Sequence, residues 1–158
     1  MKIKLITVGK IKEDYLKAAI NEYLKRLSRY TKIEEIEIND EKAPENLSSK
    51  EIELIKDKEG KKILKKLNKE YVIALDIKGK QFDSIKLAYK LRDIFSYESA
   101  NITFIIGGSL GLSKQVLNKA NLKLSFSKLT FPHQLMKVIL LEQIYRSFRI
   151  INNEPYHK

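Results

Sequence analysis

Apolar residues recur along the chain with two alternating periods. Ile3 to Val8 is an apolar run that stops at Gly9, the signature of a buried strand. Tyr15, Leu16, Ala19, Ile20, Tyr23, Leu24 and Leu27 then fall at the i, i+3, i+4 spacing of an amphipathic helix. From Ile33 to Asn39, Ile36 and Ile38 alternate with Glu35 and Glu37, predicting a half-exposed strand, and Lys42 to Leu47, with Pro44 inside it, reads as a loop. Ser48 and Glu51 have capping-box spacing and open a helix toward Leu67, with Gly60 as an interruption.

The second half repeats the alternation. Tyr71 to Leu75 is an apolar strand ending at Asp76, and Gly79 is expected to mark the turn after it. Asp83 or Ser84 can cap a helix through Leu87, Ala88, Leu91 and Ile94. Ile102 to Ile106 forms another buried strand that runs into Gly107, Gly108, Ser109, Leu110 and Gly111, and Ser113 caps a short helix holding Val116 and Leu117. Leu122 to Phe126 is a weak strand and Ser127 to Phe131 a loop. Pro132 suits the first turn of a helix running to about Ile150, where a missing N–H costs nothing. Asn152 to Lys158 is the tail. Strands alternating with helices predict an α/β fold with a mostly parallel sheet flanked by helices, and residues 1–158 read as one domain.

Composition removes several chemistries. The chain has no Cys, so disulfide frameworks, thiol nucleophiles and Cys-based zinc sites cannot be built. His133 and His157 are the only histidines, and no carboxylate lies within a helical turn of His133, so no metal is expected. His133 is expected to serve as a structural hydrogen-bonder. No apolar run approaches a membrane span, and no secretory signal opens the chain, so a cytoplasmic protein without a membrane partner is expected.

The formal net charge is +11, and the last 38 residues carry six cations against two anions with aromatic residues among them. A basic domain attracts polyanions, nucleic acid foremost. The glycine loop after the third apolar strand could bring backbone N–H groups close to a ligand. It is neither a G-x-G-x-x-G fingerprint nor a Walker loop. In Leu135 to Leu141 six of seven residues are apolar, a band too wide for one core face, and a two-fold dimer would bury the surplus. These features alone leave open an RNA-binding factor, a nucleotide-binding α/β enzyme and a group-transfer enzyme acting on RNA.

Several stretches in order resemble one family. Phe104 to Ser113 resembles the cofactor loop of the bacterial ribosomal RNA large-subunit methyltransferase H family, and Leu124 to Leu135 its second cofactor loop and helix start. Leu141 to Arg146, Pro155 to Lys158, Val8 to Lys10 and Leu75 to Lys80 are similar to its remaining signatures. The resemblance implies a SPOUT-type fold with a C-terminal trefoil knot, a homodimer, and S-adenosylmethionine as methyl donor. It implies methylation of N3 of a pseudouridine in 23S ribosomal RNA within the assembled ribosome.

Carried over residue by residue, Leu75, Gly107, Phe126, Ser127, Lys128, Leu129, Thr130 and Phe131 would bind the cofactor. Lys128 would have to point outward to avoid repelling a sulfonium. Arg146, Tyr156 and His157 would be catalytic, with Arg146 and Lys158 on the RNA. The residues do not name a general base; His157 is the first candidate.

Overall fold

The computed structural model describes all 158 residues. Five strands alternate with five helices: β1 (Lys2–Val8), α1 (Asp14–Leu27), β2 (Lys32–Ile38), α2 (Ser49–Leu64), β3 (Tyr71–Gln81), α3 (Ser84–Asp93), β4 (Asn101–Ile106), α4 (Lys114–Lys119), β5 (Leu122–Ser125) and α5 (His133–Ile151). A π-helical turn, Ile94–Glu98, extends α3. The sheet is parallel throughout, in the order β2-β1-β4-β3-β5.

Both faces of the central strands are covered, so their sequences are mostly apolar, with Lys4, Thr7 and Thr103 as the polar exceptions. On one face Ile3 and Leu5 of β1, Ile73 of β3 and Ile102, Phe104 and Ile106 of β4 pack with Leu140, Leu141, Ile144 and Phe148 of α5 and with residues of α1 and α3. On the other, Ile6, Val8, Val72, Ala74 and Ile105 meet Ile63 of α2 and Val116 of α4. β2 lies at the edge, and its Glu/Ile alternation gives the half-exposed strand expected.

Caps follow the sequence signals. Ser48 Oγ accepts the N–H of Glu51, Asp83 Oδ1 that of Lys86, and Ser113 Oγ that of Val116. Pro132 sits just before the first turn of α5, not within it.

Two glycines play parts other than those expected. Gly60 does not interrupt α2; it is buried, and a Cβ there would lie 2.4 Å from Ser113 Oγ, so its absence lets α2 press against the cap of α4. Gly79 does not end the third strand. β3 continues to Gln81 through a bulge, in which both Leu75 and Lys80 pair with Leu124. A Cβ at Gly79 would stand 2.6 Å from the backbone of Lys123, so the glycine permits β3 to close on β5.

Candidate functional site

The carboxyl ends of β3, β4 and β5 open into one cavity, where open α/β sheets bind ligands. It encloses about 610 Å³ of empty space, part of it open to solvent. The bulge in β3 pushes Asp76 and Ile77 over it, the loop after β4 supplies Gly107, Gly108 and Gly111, and the loop after β5 supplies Phe126, Ser127, Leu129, Thr130 and Phe131. His133 and Met136 from the first turns of α5 close the far side. The structure therefore brings together Leu75, Gly107, Phe126, Ser127, Leu129, Thr130 and Phe131. Lys128 is exposed and its side chain is not part of the cavity wall, as a cation-repelling ligand would require.

The loop after β4 is a tight turn. Gly111 N–H donates to the Gly108 carbonyl at 3.1 Å, and Gly111 has φ +88°. A Cβ on Gly107 would stand 2.9 Å from the Gly111 carbonyl carbon and 3.1 Å from Leu112 Cδ2. Gly107 is thus needed by the turn itself. Behind Gly108 lies Glu59 of α2, whose carboxylate accepts the backbone N–H of Glu41 at 3.0 Å; burial pushes its pKa up. The second loop is held locally: Ser125 Oγ donates to the Ser127 carbonyl at 3.0 Å, and Ser127 Oγ accepts the Leu129 N–H at 3.0 Å.

His133 is not the structural hydrogen-bonder expected. Its imidazole has no hydrogen-bond partner in the protein; it lies against Gly9, whose added Cβ would stand 3.1 Å from its Nε2. Burial lowers its pKa, against the opposing pull of Asp40 and Glu13, so the imidazole is neutral at pH 7. No Lys or Arg is among the 16 residues lining the cavity, although the chain carries 31, and Asp76 is its one carboxylate.

The second group of expected site residues gathers on α5 and the tail. Glu142 accepts from Arg146 Nε at 3.0 Å and Nη2 at 2.5 Å, and from the Tyr156 hydroxyl at 3.0 Å. Arg146 lies over the Tyr156 ring at 4.7 Å and its Nη1 is 3.1 Å from His157 Nδ1. A guanidinium can only donate, so His157 Nδ1 accepts and, in the neutral ring, the proton sits on Nε2. Burial, reinforced by Glu142, pushes the Tyr156 phenol up to about 12. Tyr156 therefore stays protonated and works as a donor and a ring surface.

The tail is anchored. Arg149 bonds to Glu154 and Tyr30, and its Nη2 donates to the Pro155 carbonyl at 2.7 Å; Tyr156 packs edge-on against Tyr145 at 4.9 Å. His157 lines a second cavity whose wall includes Phe126, Ser127 and Phe131, so the 126–131 loop separates the first cavity from the tail cluster. Lys158 is exposed beyond it.

Asp76, Ile77, Met136 and Glu59 were not among the residues expected from the sequence. The acidic residue after an apolar strand was visible, but the bulge that turns it inward depends on pairing with β5. No group of three or more His, Asp or Glu residues comes together, and no helix is long and apolar enough to cross a membrane.

A family model described as "Predicted SPOUT methyltransferase" matches residues 1–157. Proteins named ribosomal RNA large subunit methyltransferase H from Clostridioides difficile and Alkaliphilus oremlandii are 60% and 62% identical over 159 residues, covering all of both chains in each case. The protein of that name from Bacillus pumilus is 56% identical, again over the full length of both. Among solved structures, a Legionella pneumophila protein with the cofactor SAM bound matches with a TM-score of 0.53 at 9% identity; the match covers 94% of this chain and 66% of that one. At that identity the likeness is one of fold.

Proposed function

The chain belongs to the SPOUT methyltransferase family, and from that premise we propose that it transfers a methyl group from S-adenosylmethionine to 23S ribosomal RNA. The acceptor is N3 of a pseudouridine, and the substrate is the assembled ribosome. The observation that carries this reading is the charge of the cavity. In a protein of net charge +11, a pocket walled by two ordered loops contains no cation and one carboxylate, Asp76. A phosphate-bearing nucleotide would find no partner there, whereas a sulfonium meets no repulsion.

The lining fits the cofactor. Leu75, Leu124, Phe126 and Met136 offer apolar surface for an adenine, and the backbone of 107–108 and 125–130 offers N–H and C=O groups. His133, neutral through burial, adds no second positive charge. When bound, the cofactor supplies an electrophilic methyl carbon that needs neither a metal nor a covalent enzyme intermediate. The chain's own task is to hold the acceptor nitrogen in line with that carbon and to let its proton leave.

For the second task the tail cluster is suited. Arg146, fixed by Glu142 and by the Tyr156 ring, presents positive charge that stabilises a base losing its N3 proton. His157 offers an N–H to a base carbonyl, Tyr156 a stacking surface, and Lys158 a cation for phosphate.

In each subunit the 126–131 loop stands between the cofactor cavity and that subunit's own tail. A homodimer, with the tail of one copy facing the cavity of the other, removes this separation. Leu135 is exposed on α5, and Val138 and Ile139 beside it are half-buried, as a partner surface requires. The SPOUT reading also carries a trefoil knot in which the segment after β4 threads to form the second loop and α5, within one domain spanning 1–158. A cytoplasmic location follows from the ribosomal substrate.

Calorimetric titration with S-adenosylmethionine and ATP tests the cofactor: the first binds and the second does not. Methyl transfer to free 23S RNA, large subunits and whole ribosomes tests the substrate, with whole ribosomes the best acceptor. ATP binding, or transfer to none of the three RNAs, contradicts the proposal.

A further inference from the structure

Continuous with the cofactor cavity, and sharing eight lining residues with it, Asp76 and His133 among them, runs a larger groove of about 1760 Å³ of empty space, much of it open to solvent. Its electrostatics are opposite to those of the cavity. Three elements each contribute one lysine to it, Lys56 from α2, Lys78 from the β3 bulge and Lys114 from the start of α4, against Asp76 as the one carboxylate on its wall. Lys78 and Lys114 are exposed and form no ion pair; Lys56 is paired with Glu53 at 3.2 Å.

A cation-free pocket opening into a cation-lined groove separates two ligands of opposite charge. The sulfonium belongs in the first, and a polyanion is drawn along the second up to its mouth. We propose that this groove is the track for the ribosomal RNA backbone flanking the target nucleotide, with Lys56, Lys78 and Lys114 on its phosphates. The inference rests on the RNA-methylating reading above and adds a binding surface remote in sequence from Arg146 and Lys158. Ser109 and Leu110 on its wall carry no charge, so the sugar-phosphate chain meets no repulsion beside the turn that walls the cofactor.

The test compares the wild-type protein with the triple variant Lys56→Gln, Lys78→Gln, Lys114→Gln and with the triple Lys→Arg variant. The Gln variant is expected to bind S-adenosylmethionine within about twofold of wild type. Its KM for ribosomes should rise about tenfold or more with kcat little changed, and the slope of log affinity for deproteinised 23S RNA against log salt should flatten by about 2. The Arg variant should keep wild-type KM. RNA affinity is read by filter binding, independently of methyl transfer. If the wild-type protein transfers no methyl group to RNA, the functional reading fails while the groove is still judged by binding. Unchanged RNA affinity and salt slope in the Gln variant would overturn the groove assignment. So would loss of cofactor binding, or a changed sedimentation coefficient that placed the lysines in a contact between copies.

Discussion

His157 Nδ1 lies 3.1 Å from Arg146 Nη1, eleven residues earlier on α5, so the last turn of the chain folds back onto the helix that precedes it. The contact turns the imidazole's lone pair toward a guanidinium and leaves Nε2–H free on a residue that lines the cavity bounded by Phe126 and Phe131. His157 is thereby fixed as a hydrogen-bond donor. Replacing His157 with Ala should lower methyl transfer to ribosomes by about 10²-fold, the scale of a lost positioned polar group at a reacting centre, while cofactor affinity holds. Single-turnover kinetics beside calorimetry separates the two effects.

Deleting residues 155–158 should do more, because it also removes the Tyr156 ring beneath Arg146. Chain ends usually fray, and removing one is expected to leave stability nearly unchanged. Here Tyr156 packs on Tyr145 and bonds to Glu142, so the deletion should cost on the order of 1–2 kcal/mol. A thermal melt checks the stability loss, and the methylation rate should fall by orders of magnitude in the same sample.

Gly107→Val places a methyl-bearing carbon 2.9 Å from the Gly111 backbone. The turn must open, costing about 1–3 kcal/mol by overpacking and removing cofactor binding. Unchanged calorimetric affinity in this variant would contradict the role given to the 107–111 loop.

Much of this architecture was legible in the sequence because the local signals agreed with one another. Ser48 and Ser113 cap where expected, Asp83 is the one of the pair Asp83 and Ser84 that caps, and the largely apolar runs of β1 and β4 are the strands covered on both faces. The β3 bulge was not legible, since Gly79 looks like a turn until β5 is seen 2.6 Å from where its Cβ would be. Nor was Lys137, in the middle of the most apolar stretch of α5. It is buried and reaches Glu35 on β2 at 2.7 Å, a pairing across the fold that no local spacing records. The two loops after β4 and β5 were visible as loops; that they wall one cavity follows from the order β4-β3-β5.

The end of the sheet opposite the cavity carries a pH-sensitive pair. Burial pushes Glu70 up, but Lys4 at 2.8 Å, Thr103 Oγ1 at 2.9 Å and the Asn68 N–H at 2.8 Å outweigh it, so its pKa is lowered. A depressed carboxylate pKa contributes stability that is present above the ordinary carboxylate range and is lost as pH falls through the folded value. Glu70→Gln should flatten the fall in Tm below about pH 4.5. Lys4→Ala, which leaves a buried carboxylate unpaired, should cost about 3 kcal/mol at pH 7. Denaturant melts across pH 3–7 read both.

His133 works in the same direction closer to neutrality. Its pKa is lowered by burial, so the unfolded chain binds more protons below about pH 6.5 and stability falls as the solution is acidified through that range. His133→Gln should remove this dependence below about pH 6.5. Cofactor affinity of the wild type should weaken as the imidazole takes up its proton on acidification, because the pocket then holds a positive charge beside the sulfonium.

The most direct test is nucleoside analysis by mass spectrometry of 23S RNA from ribosomes lacking the modification, after incubation with the purified protein and isotopically labelled S-adenosylmethionine. One labelled methyl group per 23S RNA is expected, on N3 of a pseudouridine, and none with the tail deletion. No label in the RNA, or label on a different nucleoside, would contradict it.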